Sequence, residues 1–534
     1  MIKKIFLCIV FIQLVLSSKS QLAKVDIADP QKSTFKTLGN GLNLAASEEN
    51  DFYFIPFHQT VQSKDNYFKV GITANYGYFK KPNVSIHVIQ LSKALQIEKE
   101  FEVKLKPESG EGKLRPVKLY VVENKIELIT IQVDKDGGRF TIYNWEFNLS
   151  DFSVMARNKN LGSFPYSKNS KYQYLVDVNK FNQSFGICIA ERKEKKGQAC
   201  AVHVLSCDNT MKTLVKQSAD FSFKYSKEIL SKMRLSDKGE MWALLTETDK
   251  KEEISNQVIY GNKEKINFFS LKQNANNIVH SCFSLNKSNN GIYVAGLIYP
   301  SGSEFSDGIS YAEMSNTGQM SAVNTVDIKK ELTNMNADVS VNGFNKNTRI
   351  QEVIVRDNDL VDIIVNEYTF KEVTSGNTAF PYDTKMKFGD IYLFSLLKNK
   401  LANSKVIRRN ITEKQTSSFY INDIRDYSLP NAFSQKNNVY FLYLANTSNP
   451  DGRDKDSKLK KETTSQCLFM VAKMDENFNL KSQPLFDYTE KNNFESYAYL
   501  TLCPISDTKY MGYHETEFGM TTKAKLTFAV MEIK

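Results

Sequence analysis

The sequence predicts an all-β fold of eight small sheets joined into a ring, and three observations predict it. A polar turn followed by a short aromatic and β-branched run recurs eight times, at spacings of about 50 to 80 residues. Runs such as DFYFIPF and VYFLYLA are apolar at successive positions, as strands covered on both faces require. The chain also ends on KLTFAVMEIK, a strand with nothing after it to pair with, while long amphipathic helical patterns are nearly absent.

Residues 1–20 stand apart from the repeat. Lys3 and Lys4, the apolar run IFLCIVFIQLVL, and Ser18 and Ser20 have the layout of a secretory signal, which predicts cleavage before Gln21. The apolar run is too short to span a bilayer, so no membrane span is expected and the protein should be secreted or periplasmic. Cys8 lies inside the apolar core, away from the cleavage point, which argues against a lipid anchor.

The segment KSTFKTLG at 32–39 comes next and belongs to no unit. The repeats follow at about 41–106, 114–162, 171–220, 227–273, 276–330, 348–411, 418–487 and 493–534. Each carries a looser first strand (A), the aromatic run (B) and a third strand (C), and usually a fourth (D) after another polar turn. The B runs are ENDFYFIPFH, ENKIELITIQ, NQSFGICIAE, KGEMWALLTE, NNGIYVAGLIY, NDLVDIIVNE, NNVYFLYLAN and DTKYMGYHET. In the fourth unit the strand after the aromatic run is read as INFFSLKQ, with TETDKKEEISNQVIYGNKEK as a loop. The eighth unit stops after its third strand. Pairing KSTFKTLG with KLTFAVMEIK would supply the missing strand, close the ring and remove an exposed edge. A ring of seven, with the INFFSLKQ unit miscounted, is the alternative.

In this form the chain resembles the β-propeller superfamily and, more loosely, uncharacterised propeller-like proteins exported by bacteria. The resemblance covers residues 32–534, rests on the form of the repeat, and implies an eight-bladed β-propeller or its seven-bladed alternative. WD dipeptide, kelch and NHL patterns are absent. LSDKGEMW at 235–242 approaches an Asp-box, but Leu235 stands where that motif has Ser, and a plain hairpin turn explains it.

Composition excludes some functions. Lys plus Arg number 70 against 60 Asp plus Glu, and the surplus lies in scattered loop lysines, without the aromatic-interleaved stripe of a nucleic-acid binder. Six cysteines follow the signal: Cys188, Cys200, Cys207, Cys282, Cys467 and Cys503. Cys188 and Cys200 flank one hairpin and are the best candidates for a disulfide, while no CxxC supports zinc or thiol-redox chemistry.

Function is less legible. In a propeller the D-to-A and B-to-C connections emerge on one face, and the long connections here are of those kinds, which predicts a loop-rich binding face. Tyr76, Tyr78, Phe79, Phe380 and Tyr382 are placed there to stack on a sugar or grip a peptide, with Asp451 and Asp454 beside them. Glu191, Glu247 and Glu367 at the ends of B strands are the candidates for carboxylate chemistry on a glycan. His58 and His514, with Glu515, would meet where units one and eight adjoin and are the candidate metal ligands. No cofactor is expected. The leading expectation is a monomeric, non-enzymatic binding or scaffolding protein for a peptide, protein or glycan; the alternative is a polysaccharide hydrolase or lyase.

Overall fold

The computed structural model describes residues 22–32, 58–72, 84–107, 114–168, 170–179, 181–193, 199–222, 230–249, 252–273, 276–300, 303–321, 323–335, 343–374, 382–415, 431–449, 462–463, 467–485, 503–506, 508–516 and 525–534. Blade one is His58–Gln62, Asn66–Ile72, Val84–Ser92 and Ile97–Leu105; blade two is Leu114–Val122, Lys125–Asp134, Arg139–Asn148 and Val154–Pro165. Blade three is Ser170–Val178, Phe185–Lys193, Ala199–Cys207 and Thr213–Ser222; blade four is Leu230–Leu235, Met241–Asp249, Glu252–Gly261 and Ile266–Ser270. Blade five is Asn276–Leu285, Gly291–Ile298, Gly308–Ser315 and Asn324–Asp327; blade six is Thr348–Val355, Leu360–Thr374, Tyr382–Leu397 and Lys400–Ile407. Blade seven is Asn431–Gln435, Asn438–Ala445, Leu468–Met474 and Leu480–Pro484; blade eight is Cys503–Pro504, Lys509–Thr516 and Lys525–Ile533, completed from the N-terminal side. Innermost strands touch at each seam from blade eight through blade one to blade seven, and Phe433 of blade seven meets Tyr510 of blade eight, so the protein is an eight-bladed β-propeller.

The ring explains the doubly apolar strands. In blade three, Ile187 and Ile189 point one way, into a cluster with Phe140 and Phe164 of blade two. Cys188 and Ala190 point the other way, against Met233 and Met241 of blade four. Each large apolar side chain buried in this way contributes about 1.5–3 kcal/mol. The blades approach so closely that a Cβ on Gly186 would lie 2.9 Å from Leu235 Cδ1.

Closure is made by an N-terminal strand, as expected, but by a different one. Ala23–Ile27 pairs antiparallel with the last strand, Ala23 opposite Ile533 and Ile27 opposite Ala529, and Gln31–Lys32 extends the ladder opposite Leu526 and Lys525. Only Lys32 of the expected strand takes part; residues 33–39 lie outside the described residues. Leu22 and Ala23 fill the seam between blades seven and eight beside Tyr440 and Met531. Lys24 and Asp26 alternate outward as an exposed ion pair 2.9 Å long, the charged outer edge that discourages further pairing. Gln31 then binds blade one, donating to Leu95 O at 2.7 Å and accepting from Ile97 N at 2.6 Å.

Other expectations need correction. The strand Glu252–Gly261 lies inside the stretch read as a blade-four loop, and the INFFS run is the outermost strand, so the count of eight survives while the assignment shifts. In blade one Asn66–Ile72 is likewise a strand inside an expected loop. The long connection from blade five to six contains a helix, Ile328–Asn334, capped by Asp327, which accepts from Lys330 N at 3.1 Å. Cys188 and Cys200 are both buried and not joined to each other: Cys188 sits opposite Val204 and Cys200 opposite Phe221, so the hairpin register keeps them apart. Among the described residues no helix is long and apolar enough to cross a membrane.

Candidate binding face

Blade six departs most from its neighbours. Its strands Leu360–Thr374 and Tyr382–Leu397 run 15 and 16 residues, and they stay paired from Leu360 opposite Leu397 out to Thr374 opposite Tyr382. The blade's innermost strand ends its pairing at Thr348 opposite Glu367, so the outer half is a ribbon reaching about 20 Å beyond the end of that strand. It stands on the face of the B-to-C connections, where the sequence predicts a loop. Ile411–Gln415 pairs along it, and Glu462–Thr463, from the blade-seven connection, adds a parallel strand to Ile411–Thr412.

The root of the ribbon is a buried polar knot. The register breaks between Asn366 and Tyr368, opposite Gly389 and Asp390, and a Cβ on Gly389 would come within 2.7 Å of Glu367 Oε2. Into this bulge comes Arg409, 2% exposed, whose Nε donates to Gly389 O at 2.6 Å and whose Nη2 donates to Asn366 Oδ1. The Arg409 backbone N–H donates to Asp390 Oδ1 at 2.9 Å. Burial pushes the Asp390 carboxyl up to about 6, with Glu367 adding to the rise and the Arg409 N–H and the Arg408 charge opposing it. Burial likewise draws Arg409 down to about 10. Glu367 Oε1 accepts from Asn345 Nδ2 at 2.9 Å, and Asn446 of blade seven accepts from Asn410 N at 2.7 Å, so the knot ties blade six to blade seven.

The three candidate carboxylates lie on three different blades. Glu191 is buried in blade three, accepting from Ser170 Oγ and from Ala201 N at 2.9 Å, and Glu247 accepts from Ser255 Oγ at 2.7 Å within blade four. Glu367, on blade six, is joined by Asp390, a residue the sequence reading missed. Its only signal is the Gly-Asp pair entering an apolar run, which reads equally as a turn.

His58 opens the innermost strand of blade one, opposite Gly71, instead of ending a B strand as expected. His514 and Glu515 pair with Thr527 and Leu526 in blade eight, so the backbone brings the two histidines to one face of neighbouring blades, while their side chains are not among the described ones. No group of three metal-binding side chains occurs among the described residues. Tyr382 closes the ribbon's pairing; Tyr76, Tyr78, Phe79, Phe380, Asp451 and Asp454 lie outside the described residues. In the near-Asp-box, Asp237 is an inter-blade tie, accepting from Asn179 of blade three at 2.8 Å and from Asn289 of blade five at 2.9 Å.

No protein-family model matches the chain, and neither does any curated protein. Among solved structures it is similar to the WD40 domain of SCAP from fission yeast, at 11% identity over 90% of this chain and 97% of that one, TM-score 0.33. It is similar to the β-propeller domain of the Trilobed protease from Pyrococcus furiosus, at 9% identity over 81% and 96%, TM-score 0.33. The GH93 α-L-arabinofuranosidase of Fusarium graminearum is similar at 10% identity over 64% and 93%, TM-score 0.28.

Proposed function

We propose that this is an exported, non-enzymatic binding or scaffolding propeller that holds a protein or peptide on the face bearing the blade-six ribbon. The observation that carries the reading is the ribbon itself, a long paired projection rooted in a rigid buried knot. A projection of that kind offers a partner a place to dock without disturbing the disc. Export rests on the signal-like residues 1–20, and cleavage before Gln21 leaves the closing strand, which begins at Ala23, intact. A hydrolase would need two carboxylates open to substrate. Glu191 and Glu247 are engaged within their own blades, and Asp390 is packed against Arg409.

The test is to shorten the ribbon by joining Thr369 to Lys387 through an Asn-Gly turn and to compare partner capture by cross-linking from the exported fraction of its source. Capture should fall at least tenfold while the melting temperature of the disc holds; undiminished capture by the shortened protein would reject the reading.

A further inference from the structure

Three consecutive innermost strands break register at one level: between Leu230 and Lys232 in blade four, between Val279 and Cys282 in blade five, and between Ile350 and Glu352 in blade six. In blade five the break includes His280 at a φ of 52°, a conformation that L residues rarely hold. A bulge re-aims the side chains that follow it, and here three matched bulges converge. Lys232 Nζ lies 3.0 Å from Cys282 Sγ and also contacts the Glu352 carboxylate, whose Oε1 is 3.6 Å from Arg234 Nη2. Cys282 is 3% exposed, and the Lys232 side chain 11%.

An amine, a thiol and a carboxylate are thus held in contact across three blades. Buried Cys188 and Cys207 lie among apolar side chains of the inter-blade seams. Serine would accept the lysine hydrogen bond equally well; what sulfur adds is oxidisability. We propose that Lys232 and Cys282 form an oxidative cross-linking site, closing a covalent N–O–S bridge between blades four and five. Glu352 takes the ammonium proton, leaving a neutral amine beside the thiol. One dioxygen then serves the whole step: the S–H and one N–H bond break, S–O and O–N bonds form, sulfur and nitrogen each lose two electrons, and the second oxygen leaves as water with the two hydrogens. Peroxide supplies the same four electrons of oxidising capacity in two equivalents.

The experiment is peptide mass spectrometry on the full exported chain after exposure to air or hydrogen peroxide. The peptides carrying Lys232 and Cys282 should appear joined, about 14 Da heavier than their sum, for one oxygen gained and two hydrogens lost. Dithiothreitol should release them, and Lys232→Arg and Cys282→Ser should lack the species. The oxidised wild type should melt on the order of 1–3 °C higher, reversibly with reductant. Oxygen adducts confined to Cys282, or no oxidation there at all, would overturn the proposal, and because the wild-type chain carries the readout, a misfolded variant cannot obscure it.

Discussion

Arg356 and Asp362 face each other across the first hairpin of blade six as a two-point ion pair, Nε to Oδ2 at 2.6 Å and Nη2 to Oδ1 at 2.9 Å, with neither side chain reached by solvent. Arg356 Nη1 continues into blade seven, donating to Asn437 O at 3.0 Å and Asp475 O at 2.9 Å, while Ser395 Oγ donates to Asp362 Oδ1 at 2.6 Å. Removing one partner of such a pair strands a buried charge. Arg356→Ala should therefore cost about 3–5 kcal/mol in denaturant unfolding. Arg356→Lys should recover little, since an ammonium cannot span the carboxylate and two carbonyls at once. Near wild-type stability in either variant would mean that the pair does not hold the blades together.

Two buried groups predict opposite pH limbs. Burial pushes Glu127 up to about 7, with Glu146 adding and the 2.7 Å bond from Asn144 opposing. The folded state then binds its proton more tightly than the unfolded chain, so the stability from this group is whole below pH 4.5 and is lost as pH rises through about 7. Burial draws His203 down to about 4, against the pull of Glu191 and Asp220, so its contribution is whole above pH 6.5 and is lost as pH falls through about 4. Each limb is worth at most about 3 kcal/mol. Melting temperature followed from pH 4 to 9 should show, between about pH 4 and 7, Glu127→Gln removing a loss of stability as pH rises and His203→Gln removing a loss as pH falls. Profiles parallel to wild type would show that neither group titrates across folding.

A chain that begins at Ser33 lacks the closing strand and leaves Lys525–Ile533 as an open edge. It should self-associate in light scattering. A synthetic peptide of residues 22–32 added in trans should restore the monomer and raise its melting temperature. A monodisperse truncated protein, indifferent to the peptide, would show that the edge is harmless.

Blades two and three were almost fully legible, because Lys125–Asp134 and Phe185–Lys193 follow clear polar turns and are apolar at successive positions. The third strand of blade four was not, since its first half carries the polar run EEISN and reads as a loop, and its apolar signal begins only at Val258 and Ile259. The closing strand escaped for a related reason: a five-residue edge strand with Lys24 and Asp26 outward and Ala23 inward leaves hardly any apolar pattern. The ribbon falls in FKEVTSGNTAFPYDTKMKFGD, whose polar residues, glycines and proline read as a loop. The knot at its root depends on Arg409, in the connection after Lys400–Ile407, meeting Asp390, a proximity that no local spacing encodes.

The pairing of Ala23 with Ile533 also governs how the molecule bears load. Anything attached before Leu22 or after Lys534 leaves from the same corner of the disc, where Lys534 N donates to Leu22 O at 2.9 Å. Tension between two such attachments would not shear the ladder along its length. It would pull at one end and part the hydrogen bonds in turn, as a zipper opens, so the ring should yield at a low force and at a known seam while the other seven blades stay folded.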